Sequence, residues 1–413
     1  MKKNILYVAS LALGLMAFAS CSDDKGGGDG PGTNPPTTGG GGALNCVEQI
    51  IDGCLDIANE VGEAKIGDPL ALYNSGQTTD ALYAVESWYS WHSREDYSNN
   101  IISIYNALTG TRGEQVVSNN QLDLTQMNAA ANSIYSVVSG VNATMADEVM
   151  QAVKTAHDAI LAIPQPFRNH INSTEALEAQ RACAELYEAL NDLKGYIERT
   201  GDINTDEVLD PVVSTYVDVV VLPTYKDLKD KNQLLYNAIY AFSENPSDAA
   251  FEDICDAWLV AREPWETSEA FLFGPVADQG LDPNMDSWPL DKEGIVNVLE
   301  EASWDSMEWT GEFTEDGPNA EAIASAQSVR GFHTLEFLAF RNGKARTLND
   351  QLDANDPEDY VYDDTNKQNW GTYMMAAVTL LVKDSDDLYS YWNDSYKGGD
   401  SYAKRFKEHR LTD

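Results

Sequence analysis

The chain has 413 residues, and its 67 acidic side chains outnumber its 27 basic ones, which gives a formal net charge of −40. Such an excess of negative charge repels phosphate backbones and anionic lipid headgroups, so it excludes nucleic acid and anionic membrane surfaces as partners. Metal cations and basic proteins remain compatible with this charge. The length is sufficient for two ordinary domains.

The N-terminus has the pattern of a lipoprotein signal peptide. A positive start precedes an apolar run too short for a stable membrane span, and the run ends in small residues before Cys21. We predict a signal peptide over residues 1–21 with lipid attached to Cys21; cleavage near Ser20 as an ordinary signal peptide is the alternative. Residues 22–43 are rich in Gly, Pro and Thr and predict a flexible tether. The predicted location is the cell envelope, as an outer-membrane lipoprotein. Acidic residues after the cysteine resemble a surface-export signal.

Helical periodicity runs through almost all of the remaining chain. Apolar residues recur at intervals of three and four over 47–61, and a capping sequence opens a long helix over 172–198. Further helices are predicted over 248–273 and 370–388. The proline at the end of 66–69 predicts a helix break there. Because β-branched runs are short and scarce, the predicted fold class is all-α.

A short apolar helix carries two polar residues on one face. His333 and Glu336 are three apart within residues 331–340, and their neighbours are apolar residues that favour burial. A buried polar group without a partner is costly, so both side chains need partners elsewhere in the chain. The stretch 85–100 is another unusual segment, since it is too polar for a core helix and too aromatic for a solvated loop.

Two further groups of residues leave alternatives open. Arg262, Glu266 and Glu269 are spaced four and three apart, and on an exposed helix such a ladder contributes only a few tenths of a kcal/mol. Besides Cys21 the chain has four cysteines whose spacing suggests no metal-binding knuckle, and we predict isolated buried thiols. These are Cys46, Cys54, Cys183 and Cys255.

Residues 331–338, Gly-Phe-His-Thr-Leu-Glu-Phe-Leu, resemble the GxHxxE motif of the imelysin-like family. That family includes insulin-cleaving membrane proteases and iron-regulated envelope proteins. Residues 257–271 and 286–290 look like further signatures of the family, and 65–69 with 86–101 look like its second block. The order of the two blocks is reversed here, which predicts a circular permutation. A permuted chain requires Val47 and Arg410 to lie close together.

The resemblance implies two helical-bundle domains packed around an interdomain cleft. The first would combine residues 44–212 with 346–413, and the second would consist of residues 213–345. The cleft would then bring the His-Glu helix of the second domain against the polar block of the first. The residues that the resemblance places at this site are His333, Glu336, Glu86, Ser87, Tyr89, Ser93, Asp96, Arg262 and Glu269.

Three functions are compatible with these residues. One imidazole with several carboxylates is a reasonable donor set for ferric or ferrous iron. The resemblance favours binding of iron, rather than zinc, or of an iron chelate during iron uptake, with envelope iron-uptake proteins as partners. In that case the membrane is contacted through the N-terminal lipid alone. A metal-dependent peptidase is the alternative, but His333 and Glu336 supply too few ligands for a catalytic zinc, so the balance is against an enzyme. The third reading is a buried hydrogen-bond network that locks the two domains together.

Overall fold

The computed structural model describes residues 42–113, 117–314, 317–353 and 359–411. The predicted signal peptide, the lipidation site Cys21 and all but the end of the predicted tether lie outside these residues. The first helix begins at Gly42, two residues before the predicted domain boundary.

Helices dominate the described residues, and the strands form two short hairpins, so the all-α prediction is confirmed. The α-helices are α1 (Gly42–Asn59), α2 (Asp68–Asn74), α3 (Thr78–Ala84), α4 (Ser93–Thr109), α5 (Ile134–Val141), α6 (Ala143–Ala162), α7 (Thr174–Arg199), α8 (Asp206–Thr215), α9 (Leu222–Glu244), α10 (Asp248–Glu266), α11 (Pro275–Asp278), α12 (Leu281–Asp286), α13 (Lys292–Glu301), α14 (Ala320–Gln327), α15 (Gly331–Ala339), α16 (Lys367–Asn393) and α17 (Tyr402–Lys407). The antiparallel hairpins pair β1 (Val117–Ser118) with β2 (Gln121–Leu122) and β3 (Phe340–Arg341) with β4 (Lys344–Ala345).

Two segments of π-helix connect α-helices that are consecutive in the chain. The break predicted over 66–69 is absent, because the π-helical segment Glu60–Gly67 connects α1 directly to α2. Pro69 lies in the first turn of α2, where its missing N–H breaks no helical hydrogen bond. The β-branched run at 217–222 is likewise the π-helical segment Tyr216–Val221, which joins α8 to α9.

Serine side chains at the N-termini of two long helices explain where these helices begin. The Ser173 side chain accepts a hydrogen bond from the Ala176 amide at the start of α7. Ser247 does the same for Ala250 at the start of α10. Each cap satisfies an amide that has no partner within its own helix, which stabilises the helix by about 1 kcal/mol.

Two groups of helices surround the core. In one, α1 packs on α7, which lies along α6, while α6 contacts α4. In the other, α9 lies between α10 and α16, and α15 contacts both α10 and α16. The prediction placed residues 346–413 with the first group, whereas α16 packs on helices of the second. All the described residues belong to one compact unit, so the division into two domains stays a prediction.

The two ends of the described chain are neighbours. The Cys46 thiol donates a hydrogen bond to the Phe406 carbonyl over 3.2 Å, and a Cβ on Gly42 would lie 2.7 Å from the His409 ring. The start of α1, which includes Val47, therefore contacts the turn that precedes Arg410, as a circular permutation requires. The four described cysteines are buried and free, which confirms the prediction of isolated thiols.

Candidate functional site

Helix α15 begins at a close backbone contact that only glycine permits. Gly331 has a φ of +84°, and a Cβ there would lie 2.4 Å from the Met285 carbonyl oxygen. The glycine of the GxHxxE motif thus lets α15 start against the end of α12, next to Asp286. The Trp258 indole of α10 donates to the Phe332 carbonyl over 2.9 Å and fixes the other side of this turn.

Glu336 holds the imidazole of His333 in one orientation. Its Oε2 lies 2.9 Å from Nδ1 of His333. Its Oε1 accepts three hydrogen bonds, from the Tyr89 amide at 3.0 Å and from the Ser90 amide and hydroxyl at 2.8 Å each. The prediction treated Glu336 as a ligand-binding residue, but its oxygens are occupied in orienting His333 and in anchoring residues 89–90. Both His333 and Glu336 are completely buried.

The other nitrogen of His333 faces two carboxylates. Its Nε2 lies 3.1 Å from Oδ1 of Asp286 and 3.4 Å from Oε1 of Glu86. The Trp288 ring packs edge-on over the imidazole, with 4.7 Å between ring centroids. A histidine with Nδ1 on a carboxylate and Nε2 turned toward further oxygens has the arrangement of a metal ligand with its orienting partner.

Arg262 of α10 connects the carboxylates of the centre. Its guanidinium contacts Glu86 at 2.8 Å, Glu266 at 2.6 Å and Asp96 at 3.5 Å, and it donates to Asp286. The Arg262 side chain has no exposed surface. The ladder that the spacing suggested is therefore a buried charge network rather than an exposed helix face.

Lys65 and Glu269 extend this centre toward α1. The π-helical segment that follows α1 places the Lys65 ammonium 3.1 Å from Oε2 of Glu86. Glu269 lies on the 3₁₀ turn Glu269–Phe271, which approaches α1 so closely that a Cβ on Gly53 would be 2.1 Å from the Ala270 carbonyl oxygen. Gly53 thereby allows this turn to pack against α1.

We call this set of residues the buried centre. It joins six carboxylates to three basic side chains, so the acids outnumber the bases by two to one. The acids are Glu86, Asp96, Glu266, Glu269, Asp286 and Glu336, and the bases are Lys65, Arg262 and His333.

The pKa values of the centre divide into two sets. Burial raises the pKa of Asp96 to about 7 and that of Glu266 to about 8, although both contact Arg262. Burial also raises the pKa of Glu269 well above its usual value. For Glu86 the effect of burial is outweighed, chiefly by Lys65, and its pKa falls to about 2.

The remaining pair, His333 and Asp286, behaves as an ion pair. Burial alone would lower the pKa of His333, but the Asp286 carboxylate outweighs it and the pKa is raised. Arg262 and His333 together lower the pKa of Asp286 against the effect of burial. Lys65, Arg262 and His333 thus offset the cost of burying the Glu86 and Asp286 carboxylates, whereas for Asp96, Glu266 and Glu269 the effect of burial prevails and raises the pKa.

The residues that the family resemblance assigned to the site lie together in the structure. Ser87 donates to Asp96, Ser93 donates to the Glu86 carbonyl at 2.5 Å, and Tyr89 contributes its amide. Three members of the centre were missed as site residues, although each lies within or beside a segment that resembles the family: Lys65, Glu266 and Asp286.

An open groove lies beside the buried centre. It has a volume of about 710 Å³, and residues of α4, α6 and α10 contribute to its lining. His92 lines this groove, and its Nε2 is 3.9 Å from Oδ1 of Asp96, an oxygen with no hydrogen-bond partner. His333 itself does not reach the groove. The structure therefore places His333 in a buried centre beside this groove, and the interdomain cleft stays a prediction.

Three ligand atoms of the centre are close enough to hold one metal ion. Nε2 of His333 and carboxylate oxygens of Glu86 and Asp286 all lie within 4.8 Å of one another. One imidazole and two carboxylates are a donor set that suits iron and other first-row metals. The unpartnered oxygen on Asp96 and the excess of acids fit a group that carries positive charge.

Comparison with known proteins shows similarity over most of the chain. The family model described as imelysin matches residues 40–196 and 221–412. A crystal structure of an imelysin peptidase from Bacteroides ovatus is 55% identical in sequence and superposes with a TM-score of 0.69, covering 74% of this chain and 83% of that one. Iron-regulated protein A of Synechococcus elongatus is 31% identical over 134 residues, which span 32% of this chain and 32% of that protein.

Proposed function

Because the chain belongs to the imelysin family, we propose that its buried centre binds a metal cation, iron above all, and that this binding serves iron uptake in the cell envelope. The observation that carries the proposal is the arrangement of His333 between Glu336 and the carboxylates of Glu86 and Asp286. The name of the iron-regulated relative supports iron as the cation.

The charges of the centre support a cation in particular. Acids that keep protons at neutral pH because they are buried would release those protons when a cation supplies the missing positive charge. Arg262 already holds the carboxylates of Glu86 and Asp286 in place, and its guanidinium lies 3.4 Å from Nε2 of His333. A cation on His333 would therefore displace part of this contact, and its binding would strengthen as the pH rises.

Peptide hydrolysis is a weaker candidate for this site. A metallopeptidase needs a water on the metal and a path by which a polypeptide reaches it. His333 and Glu336 have no exposed surface, and Glu336 cannot serve as a base while its oxygens bind His333 and the amides of residues 89–90.

Replacing His333 by alanine is expected to weaken binding of Fe²⁺ by about 100-fold or more, since it removes the single nitrogen ligand. Replacing Glu336 by glutamine should weaken it by about 10–100-fold, because the imidazole loses its orienting carboxylate. Anaerobic titration of chelator-treated protein measures both. The control is His170→Ala, which changes a partly exposed histidine outside the buried centre and should bind Fe²⁺ as tightly as the wild type does. Equal affinity in wild type and His333→Ala would contradict the proposal.

We further propose that lipid on Cys21 anchors the protein to the outer membrane, where envelope iron-uptake proteins are its partners. The support is the sequence pattern around Cys21. Cys21→Ser should abolish incorporation of a fatty-acid label and shift the protein from the membrane fraction to the soluble fraction. A Cys21→Ser protein that keeps the label would refute the anchor.

A further inference from the structure

We propose that the buried centre holds two cations rather than one, with Asp286 as the bridging ligand. The first position is that of the proposed function, on Glu86, Asp286 and His333. The second consists of Glu266, Glu269 and Asp286, and it would take a hard divalent cation such as Mn²⁺ or Fe²⁺. This inference rests on the proposed function for the first position only.

The second position combines the end of α10 and the turn that follows it with the end of α12. Glu266 is in the last turn of α10, Glu269 begins the 3₁₀ turn that follows, and Asp286 ends α12. Carboxylate oxygens of the three lie within 4.8 Å of one another. Asn100 of α4 donates to Oε2 of Glu266 over 2.6 Å and so fixes the direction of that carboxylate.

Glu269 is the observation that points to a ligand. The residue is only 8% exposed. Among the described residues no hydrogen bond or ion pair reaches its carboxylate, which interacts with the Lys65 ammonium only at longer range. Every other acid of the centre has a donor or a basic side chain in contact with it. A buried carboxylate without a partner is strongly destabilising unless a proton or a cation neutralises it. Glu269 is directed toward Glu266 and Asp286, so a cation between the three would neutralise it.

Asp286 is suited to bridge the two positions because its two oxygens face different parts of the centre. Its Oδ1 is 3.1 Å from Nε2 of His333, on the side of the first position. Its Oδ2 accepts a hydrogen bond from the Trp265 indole over 2.7 Å, on the side of α10. Two metals in such centres are typically about 3.5–4 Å apart.

The two positions differ in the cations that they prefer. The first includes an imidazole and suits iron or zinc. The second has oxygen donors alone, which favour harder ions such as Mn²⁺, Mg²⁺ or Fe²⁺. We infer that the second cation neutralises Glu269, which forms no ion pair with Lys65 or Arg262, and that it shares Glu266 and Asp286 with the Arg262 guanidinium.

Mn²⁺ is the probe that separates one position from two, because two Mn²⁺ ions on a shared carboxylate are magnetically coupled. Chelator-treated full-length protein would be loaded with Mn²⁺, the bound metal counted after gel filtration, and its EPR spectrum recorded. Wild type is expected to hold two ions per chain with a coupled spectrum. Glu269→Gln should hold one ion with the six-line spectrum of an isolated Mn²⁺, whereas Glu269→Asp should keep both ions. Glu263→Gln, which changes a half-exposed acid on the same helix, should match the wild type.

The outcomes distinguish failure of this inference from failure of the proposed function. One ion per chain that is lost in His333→Ala but kept in Glu269→Gln would overturn the second position and leave the first intact. Two ions without magnetic coupling would overturn the bridging role of Asp286. No bound ion in the wild type would overturn both. Circular dichroism of Glu269→Gln shows whether it is folded; if it is not, the count and spectrum of the wild type and Glu269→Asp decide.

Discussion

Replacing Arg262 by methionine should destabilise the metal-free protein by about 3–5 kcal/mol, the usual cost of removing one partner from a buried ion pair. The guanidinium contacts Glu86, Asp96, Glu266 and Asp286, and the substitution leaves all four carboxylates buried without it. Methionine keeps most of the aliphatic volume of the arginine side chain, although the contacts of the guanidinium with the Trp258 and Phe332 rings are lost as well. Urea unfolding followed by tryptophan fluorescence measures the loss.

The matched control is Arg181→Met. Arg181 lies on α7, its side chain is 71% exposed, and its contact with Glu185 is 3.8 Å long. Removal of such a surface pair should change the free energy of unfolding by less than about 1 kcal/mol. Comparable losses in the two variants would show that Arg262 does not compensate the buried acids. Added Mn²⁺ or Fe²⁺ should restore part of the stability of Arg262→Met, because a cation replaces the missing charge.

The local structure around the centre could be predicted from the sequence to a large extent. The helix that carries His333 and Glu336, the caps at Ser173 and Ser247 and the all-α class all follow from short-range patterns. These features depend on residues three or four apart, and their signals are therefore present in the sequence itself.

The partners of the centre could not be predicted from spacing, because they come from distant parts of the chain. Lys65 is placed at the centre by a π-helical segment, where the sequence predicted a break. Asp286 is placed there by the close contact between Gly331 and the end of α12. The role of Glu336 depends on hydrogen bonds from the amides of residues 89 and 90, which are 247 and 246 positions away in the sequence. Contacts at such a separation leave no periodic signal in the sequence. The resemblance to a family could indicate which segments meet, but not that the site is buried rather than open.

The metal-free protein should lose stability as the pH rises from about 5 to 8. Asp96, with a pKa of about 7, and Glu266, with a pKa of about 8, hold protons in the folded state that an unfolded carboxyl releases near pH 4. His333, whose pKa is raised, retains its proton above the usual value of about 6.5 in the same way. Because the folded state binds more protons in this range, the free energy of unfolding falls with rising pH.

Other acids give the opposite dependence at lower pH. Glu86, with a pKa of about 2, and Asp286, whose pKa is lowered, stabilise the fold above the unfolded carboxyl pKa of about 4. That stabilisation is lost as the pH falls below about 4. The stability of the metal-free protein should therefore be greatest near pH 4–5, between the two ranges.

The size of the effect and its assignment to the centre can be measured together. Each proton bound only in the folded state contributes a slope of about 1.4 kcal/mol per pH unit. General repulsion between the negative charges of a chain with a net charge of −40 also lowers stability as the pH rises. The slope of the wild type alone therefore does not identify the buried centre as its source. Asp96→Asn removes one of the protonated acids and should reduce the slope between pH 5 and 7 by up to about 1.4 kcal/mol per unit.

Saturating cation should flatten the same pH profile, because the bound ion takes the place of protons that the buried acids otherwise retain. Urea midpoints at pH 5, 6, 7 and 8, with chelator and with Mn²⁺, test this directly. A metal-free protein that becomes more stable from pH 5 to 8 would show that the buried acids are already ionised in the folded state. In that case the excess negative charge of the centre would be compensated by the protein alone, and the charge argument for a bound cation would fail.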